Sequence, residues 1–166
     1  ICFLDNTVKS LPKNQDEAGR DFLLISTAQR AIVGHSRNTF YVLKYLGVNP
    51  TTGDAEWADK NGKATISPLQ ADRQIVGSAI PDYTGGFTNT LRYKGFDFTL
   101  FFNFSYGGLV LIDGLRFSEN LAPGFNKTTN VLNYWKTPGD NTFAPRLASS
   151  TAPVFNQLST LQIQDG

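Results

Sequence analysis

Between Thr84 and Gly107 the chain alternates apolar and polar residues with a period of two, broken only at Lys94-Gly95. Side chains along a strand point to opposite faces in turn, so this pattern predicts two strands joined by a two-residue turn, with Gly where a positive φ is wanted. Folding the chain at that turn sets Tyr93 opposite Phe96, Leu91 opposite Phe98, Asn89 opposite Leu100 and Phe87 opposite Phe102. The other face pairs Arg92 with Asp97, Thr90 with Thr99, Thr88 with Phe101 and Gly86 with Asn103. One face is apolar except for Asn89; the other is polar except for Phe101. A shift of one residue would mix the two sets, so turn and pattern specify one register. The Arg92–Asp97 pairing adds a cross-strand charge match worth roughly 0.2–1 kcal/mol.

The second strand sets Phe96, Phe98, Leu100, Phe102, Phe104 and Tyr106 on one side. It runs over residues 96–106, and a tilted strand needs about 9–11 residues to cross the hydrocarbon layer of a bilayer. Tyr93 and Phe96 at the turn end and Tyr106 at the far end stand where aromatic girdles belong. A soluble sandwich alternates in the same way, but the connections favour a membrane barrel. One end closes tightly, while the other opens into roughly sixty residues with little strand pattern, and a loop that long is uncommon in a compact soluble domain. Outer-membrane barrels have short periplasmic turns and long external loops. On this reading Thr88, Thr90, Arg92, Asp97, Thr99, Phe101 and Asn103 face the barrel lumen.

Composition agrees with an all-β class. Of the 166 residues 17% are charged and 13% aromatic, led by 13 Phe, with no Met, and alternation outnumbers helical spacing. The net charge of +1 comes without a basic cluster, so neither nucleic acid nor an anionic lipid surface is indicated as partner. No apolar run approaches the length of a transmembrane helix, which does not exclude a barrel. The opening Ile1-Cys2-Phe3-Leu4 is neither an initiator Met nor a signal peptide, and the chain closes on a turn-like Gln164-Asp165-Gly166 with no strand expected there. Both ends suggest an excerpt from a longer polypeptide. Cys2, the single cysteine, reads as incidental.

Taken in order, Ile1–Leu4 reads as the end of a strand. Lys9–Arg20, with Pro12, Asp16 and Glu17, reads as a loop, and Asp21–Ala31 fits either a helix turn or a strand. His35, in Gly34-His35-Ser36-Arg37, has no partners at metal-ligand or catalytic spacing and reads as a loop histidine. That stretch fails as a nucleophile elbow, since Asn38 replaces the second Gly. Thr39–Val48 is a β-rich run with Ala55–Ala58 as its returning partner. Asp59-Lys60-Asn61-Gly62 begins like a calcium loop, but Lys63 and Ala64 occupy the positions where an oxygen ligand and Gly are needed, so a tight turn is predicted. Asp72–Gly77 and Pro81 lead into the hairpin. Beyond it, Val131–Lys136 reads as one short helix. The aromatics Phe117, Phe125, Tyr134, Trp135 and Phe143, with the Ser150–Pro153 stretch among them, either pack the loop or stack on sugar rings. Tyr134 and Trp135 are the candidate substrate-binding pair.

Several stretches together resemble the C-terminal part of the barrel in SusC/RagA-type TonB-dependent outer-membrane transporters. They are Phe40-Tyr41, Lys44–Pro50, Thr52-Gly53-Asp54, Asp59–Gly62, Asp72–Gly77 and, most specifically, Pro81–Thr90 running on through Tyr93–Asp97 to Ser105-Tyr106-Gly107. Tyr134–Asp140 and Pro145-Arg146-Leu147 match the Trp and Pro marks of a late loop. The match covers roughly residues 38–166, and Lys63-Ala64 depart from the family's acidic-glycine loop. The resemblance implies a segment of a large antiparallel transmembrane β-barrel of the 22-stranded, plugged type, with long extracellular loops and bacterial outer-membrane localisation. It implies residues 84–107 as a transmembrane hairpin and 108–166 as an extracellular loop region, without the plug domain. It implies import of oligosaccharides or peptides, a SusD-like lipoprotein lid, energy from the TonB system, no enzyme activity, and neither cofactor nor metal. Thr39–Val48 either crosses the membrane or stands above it. The rival reading is a soluble β-sandwich carbohydrate-binding module with the Phe-rich face sealed in a core.

Overall fold

The computed structural model describes residues 1–12, 14–15, 19–119, 121, 126–147 and 157–166. In chain order the strands are β1 (Cys2–Phe3), β2 (Phe22–Leu24), β3 (Gln29–Ile32), β4 (Thr39–Val42), β5 (Lys44–Val48) and β6 (Ala55–Ala58). They continue as β7 (Ala64–Thr65), β8 (Gln74–Ser78), β9 (Tyr83–Tyr93), β10 (Phe96–Tyr106), β11 (Leu109–Leu111) and β12 (Ile163–Asp165). The one α-helix among the described residues, α1 (Leu115–Ser118), is a single turn. All strand ladders are antiparallel, and they form open sheets in the orders β1-β9-β10, β2-β3-β4-β8, β5-β6-β7 and β11-β12.

The head of the molecule is organised around β4 and the residue after it. Thr39, Phe40, Tyr41, Val42 and Leu43 are all buried. The β-rich run is not one strand: at Leu43 the chain leaves the β2-β3-β4-β8 sheet and enters β5-β6-β7. Leu43 instead bridges Ser159, with its N–H donating to the Leu158 carbonyl and its carbonyl accepting from the Thr160 N–H. Buried backbone groups need partners, and these come from a segment more than a hundred residues away. The Thr160 hydroxyl extends the seam by accepting from the Tyr45 N–H at 3.0 Å. With four and five residues, β4 and β5 fall short of the roughly 9–11 residues needed to span a bilayer.

Two apolar clusters flank this seam. Ala28, Phe40, Val42 and Leu158 form one, with Val76, Leu109, Leu111 and Ile163 packed against it. Leu43, Ala55 and Trp57 form the other, with Tyr45, Phe143 and Leu161. The residues after the hairpin therefore fold back into the head. The chain's last residues are not a bare turn: Ile163–Asp165 pairs with Leu109–Leu111, preceded by a 3-10 turn over Thr160–Gln162. That turn is fixed by Ser159 and Gln162, both buried. The Ser159 N–H donates to Gln162 Oε1 at 2.9 Å and the Ser159 hydroxyl accepts from the Leu161 N–H, a reciprocal cap that three-residue strands need because they contribute so little pairing of their own.

Asp21–Ala31 resolves into β2 and β3, and Ala55–Ala58 is the partner of β5, paired from Lys44↔Ala58 to Val48↔Ala55 with a shift of register between Tyr45 and Gly47. Val131–Lys136 is not a helix. A 3-10 turn ends at Leu132, and Tyr134 then bridges Ala144 in an extended stretch. Asp16, Glu17, Phe125 and the Ser150–Pro153 stretch lie outside the described residues.

Trp57, 1% exposed at the centre of its cluster, carries the larger share of local packing. Trp57→Ala should cost about 3–5 kcal/mol, whereas Leu132→Ala, at an exposed site, should stay within about 0.5 kcal/mol. Thermal unfolding of the two variants checks the contrast.

Candidate functional site

The hairpin forms in the register its pattern dictates, from Tyr93↔Phe96 through Tyr83↔Tyr106. The turn is tight because Lys94 and Gly95 both take positive φ, 45° and 85°, the combination that matches the right-handed twist of the flanking strands. Lys94 tolerates this strained conformation with its ammonium lying 5.3 Å from the Tyr93 ring centroid. β1 adds a short third strand, pairing Phe3 with Tyr83.

Both faces of the hairpin are bare. Every residue of β10 is exposed, and on the apolar side Phe96 reaches 79%, Phe98 56% and Phe102 53%. A sandwich would have sealed this face under a second sheet; among the described residues nothing packs on it. Aromatic rings gather at its two ends. At the open end Tyr83 stacks on Tyr106 at 5.0 Å, with Phe104 and Phe3 at its edges. At the turn end stand Tyr93 and Phe96. Ten steps of about 3.4 Å, tilted by roughly 40°, reach about 26 Å along a membrane normal, the height of a barrel's apolar band. No helix among the described residues is long and apolar enough to cross a membrane, which says nothing about strands.

The polar face carries the residues assigned to a lumen. Arg92 Nε lies 3.2 Å from Asp97 Oδ1, and the Thr90 and Thr99 hydroxyl oxygens are 3.4 Å apart. Asn103 faces Gly86, and Phe101, opposite Thr88, is 65% exposed on this otherwise polar wall.

The loop aromatics divide. Trp135 lies against Gly53 so closely that a Cβ there has no room, and its indole N–H donates to the Pro50 carbonyl at 3.0 Å. The same turn receives the Gly139 N–H at Pro50 and the Arg146 N–H at Gly53, while Arg146 Nε meets Asp54 Oδ1 at 2.8 Å. Residues 134–146 are thus clamped onto the β5–β6 connection. Trp135 is part of that clamp, and half-buried Tyr134 beside it holds the Lys136 ammonium 5.0 Å from its ring. The clamp was foreshadowed only by the Trp and Pro-Arg marks of the loop; that they grip Gly53-Asp54 was not legible. Within it the Asp140 carboxyl is held below the ordinary carboxylate range by the N–H groups of Thr137 and Lys136. Asp59 is lowered in the same way by the N–H groups of Lys63 and Asn61, so backbone donors fill the expected tight turn. His35 sits in a turn with its N–H on the Ile32 carbonyl. Among the described residues no group of three His, Cys, Asp or Glu side chains converges as a metal site would require.

A two-faced antiparallel hairpin with aromatic ends, rising from open sheets, defines a segment of a β-barrel. No protein-family model matches the chain. Three curated proteins of Formosa agariphila are similar in sequence. TonB-dependent receptor P3 is 36% identical over 130 residues, 69% of this chain. Receptor P39 is 33% identical over 66% of the chain, and receptor P26 is 32% identical over 88%. The chain spans only 13, 11 and 16% of their respective lengths. Among solved structures, the RagAB peptide transporter superposes with a TM-score of 0.71 at 24% identity, over 87% of this chain and 16% of that one. The RagAB peptide importer in its open-open state gives 0.71 at 25% identity, over 86% and 16%. The chain is homologous to TonB-dependent receptors, which are not enzymes, and it has the fold of a barrel segment of the SusC/RagA type.

Gly53→Val should push Trp135 off its seat and loosen the clamp by roughly 1–3 kcal/mol. Tryptic cleavage after Lys136 should then accelerate; an unchanged rate would show that the clamp does not depend on this contact.

Proposed function

We propose that the chain is part of the barrel wall of a TonB-dependent outer-membrane importer. The observation that carries this reading is the exposed, Phe-rich side of β9 and β10 with rings at both ends, a surface suited to acyl chains and unsuited to water. The sequence relatives and the barrel likeness support it. On this reading the hairpin over 84–107 crosses the membrane with Lys94-Gly95 at the periplasmic side, and residues 108–166 lie outside the cell. The polar face borders the lumen and its plug. The imported cargo is an oligosaccharide or a peptide, the latter favoured by the peptide importer among the solved structures. A SusD-like surface lipoprotein closes over the barrel, and the TonB system drives import from parts of the receptor outside this segment. Cargo stacking by the loop falls to Tyr134, since the Trp135 indole is engaged with Gly53 and Pro50.

Depth and facing give the test. Leu100→Arg sits mid-strand on the apolar side and should cost about 2–4 kcal/mol in a bilayer, while Thr99→Arg on the opposite face should be far milder. Equal penalties, measured by folding of the receptor into lipid vesicles, would contradict lipid exposure. Phe101→Ala should leave insertion intact and alter uptake or plug packing. Loss of insertion would contradict the lumen assignment.

A further inference from the structure

A hollow of about 580 Å³ opens over the seam at Leu43, within the range of small-ligand pockets, roughly 300–1,000 Å³. Its floor is Leu43 and Leu158, both buried, whose backbones meet there. Pro68 and Leu69, from the connection between β7 and β8, line it as well, and Leu69 is 68% exposed. The Leu69 backbone is fixed, because its N–H donates to Asp72 Oδ2 at 2.7 Å. A single exposed leucine is ordinary. Held at a hollow that two further leucines floor, it forms part of a seat for an apolar group.

Gln70 and Gln157, far apart in sequence, also line the hollow, and neither side-chain amide has a hydrogen-bond partner among the described residues. Each amide carries N–H donors and a carbonyl acceptor, the same two functions that every peptide group presents. The charged groups nearby are already engaged. Arg73 donates a guanidinium N–H to the Thr27 carbonyl at 3.2 Å, and Arg116 pairs with Asp113 Oδ1 at 3.1 Å. Asp72, beside Arg73, accepts the N–H groups of Lys60 and Leu69. No aromatic ring is among the residues that line the hollow, so it lacks the flat platform on which sugar rings stack.

We infer that this hollow binds a neutral stretch of extended peptide. An apolar side chain of the peptide sits on the Leu43–Leu158 floor, and the Gln70 and Gln157 amides hydrogen-bond its backbone. This rests on the importer reading and adds to it a cargo-binding site and a substrate class, apolar peptide in preference to oligosaccharide. The test is calorimetric titration of the whole receptor in detergent with three probes: a terminally blocked hexapeptide of alternating glycine and leucine, blocked hexaglycine, and maltohexaose. Leu69→Ser removes the exposed apolar wall, while Gln70→Ala and Gln157→Ala each remove an amide. The leucine peptide should bind about tenfold more tightly than hexaglycine, and each variant should weaken it about fivefold. Its affinity should change little between low and high salt, because no ion pair is formed. That pattern supports the proposal. Maltohexaose bound more tightly than the leucine peptide, or hexaglycine bound equally well, overturns the substrate class. Equal affinity of the leucine peptide for wild type and the variants, or no binding of any probe, overturns the site. Insertion of the same receptors into lipid vesicles is followed in parallel. A receptor that inserts but fails the titrations refutes the hollow alone, whereas a wild type that does not insert refutes the importer reading.

Discussion

The molecule depends on which solvent meets the apolar side of β9 and β10. Apolar surface costs about 25 cal/mol per Å² to leave in water, and this side presents Phe, Leu and Tyr along the full length of both strands without a covering element. In a bilayer the same surface is at no disadvantage. Backbone hydrogen bonding adds a second requirement, because a strand edge in hydrocarbon must be paired on both sides. The hairpin has one such edge begun by β1; on the proposed placement neighbouring strands would supply the rest. On the proposed placement, contact between these rings and acyl chains sets the depth of the hairpin.

The head solves the opposite problem. Its strands are short, its central apolar residues are buried, and its stability comes from distant segments meeting at Leu43: β4 and β5 from one side, Leu158–Ile163 from the other. The chain leaves the head at Pro81, runs through the hairpin and returns directly at β11, so head and hairpin are fixed to each other at the aromatic end. The clamp of residues 134–146 on Gly53-Asp54 then ties the long loop to the same body. A loop held in this way presents a defined surface.

Much of the hairpin was legible in the sequence because a period of two, a two-residue turn and an opposite-charge pair all select the same register. The head was less so, for physical reasons. Thr39–Val48 is apolar nearly throughout, and a continuous run carries no sign that the chain changes sheets at Leu43. Val131–Lys136 has helix-like spacing, but Trp135 is drawn down onto Gly53 and Tyr134 onto Ala144, and tertiary contact overrides local preference. Ile163–Asp165 is too short to read as a strand without its partner, Leu109–Leu111.

The most direct test is a nitroxide scan of residues 96–106 in the receptor reconstituted in lipid, with the exposed Cys2 first replaced. Collisional relaxation by oxygen, which concentrates in acyl chains, is compared with relaxation by a water-soluble nickel chelate. Oxygen accessibility should peak at Phe98, Leu100, Phe102 and Phe104 and fall at Thr99, Phe101 and Asn103. A profile without that two-residue alternation, or one with the phenylalanine positions shielded from both reagents, would contradict the account.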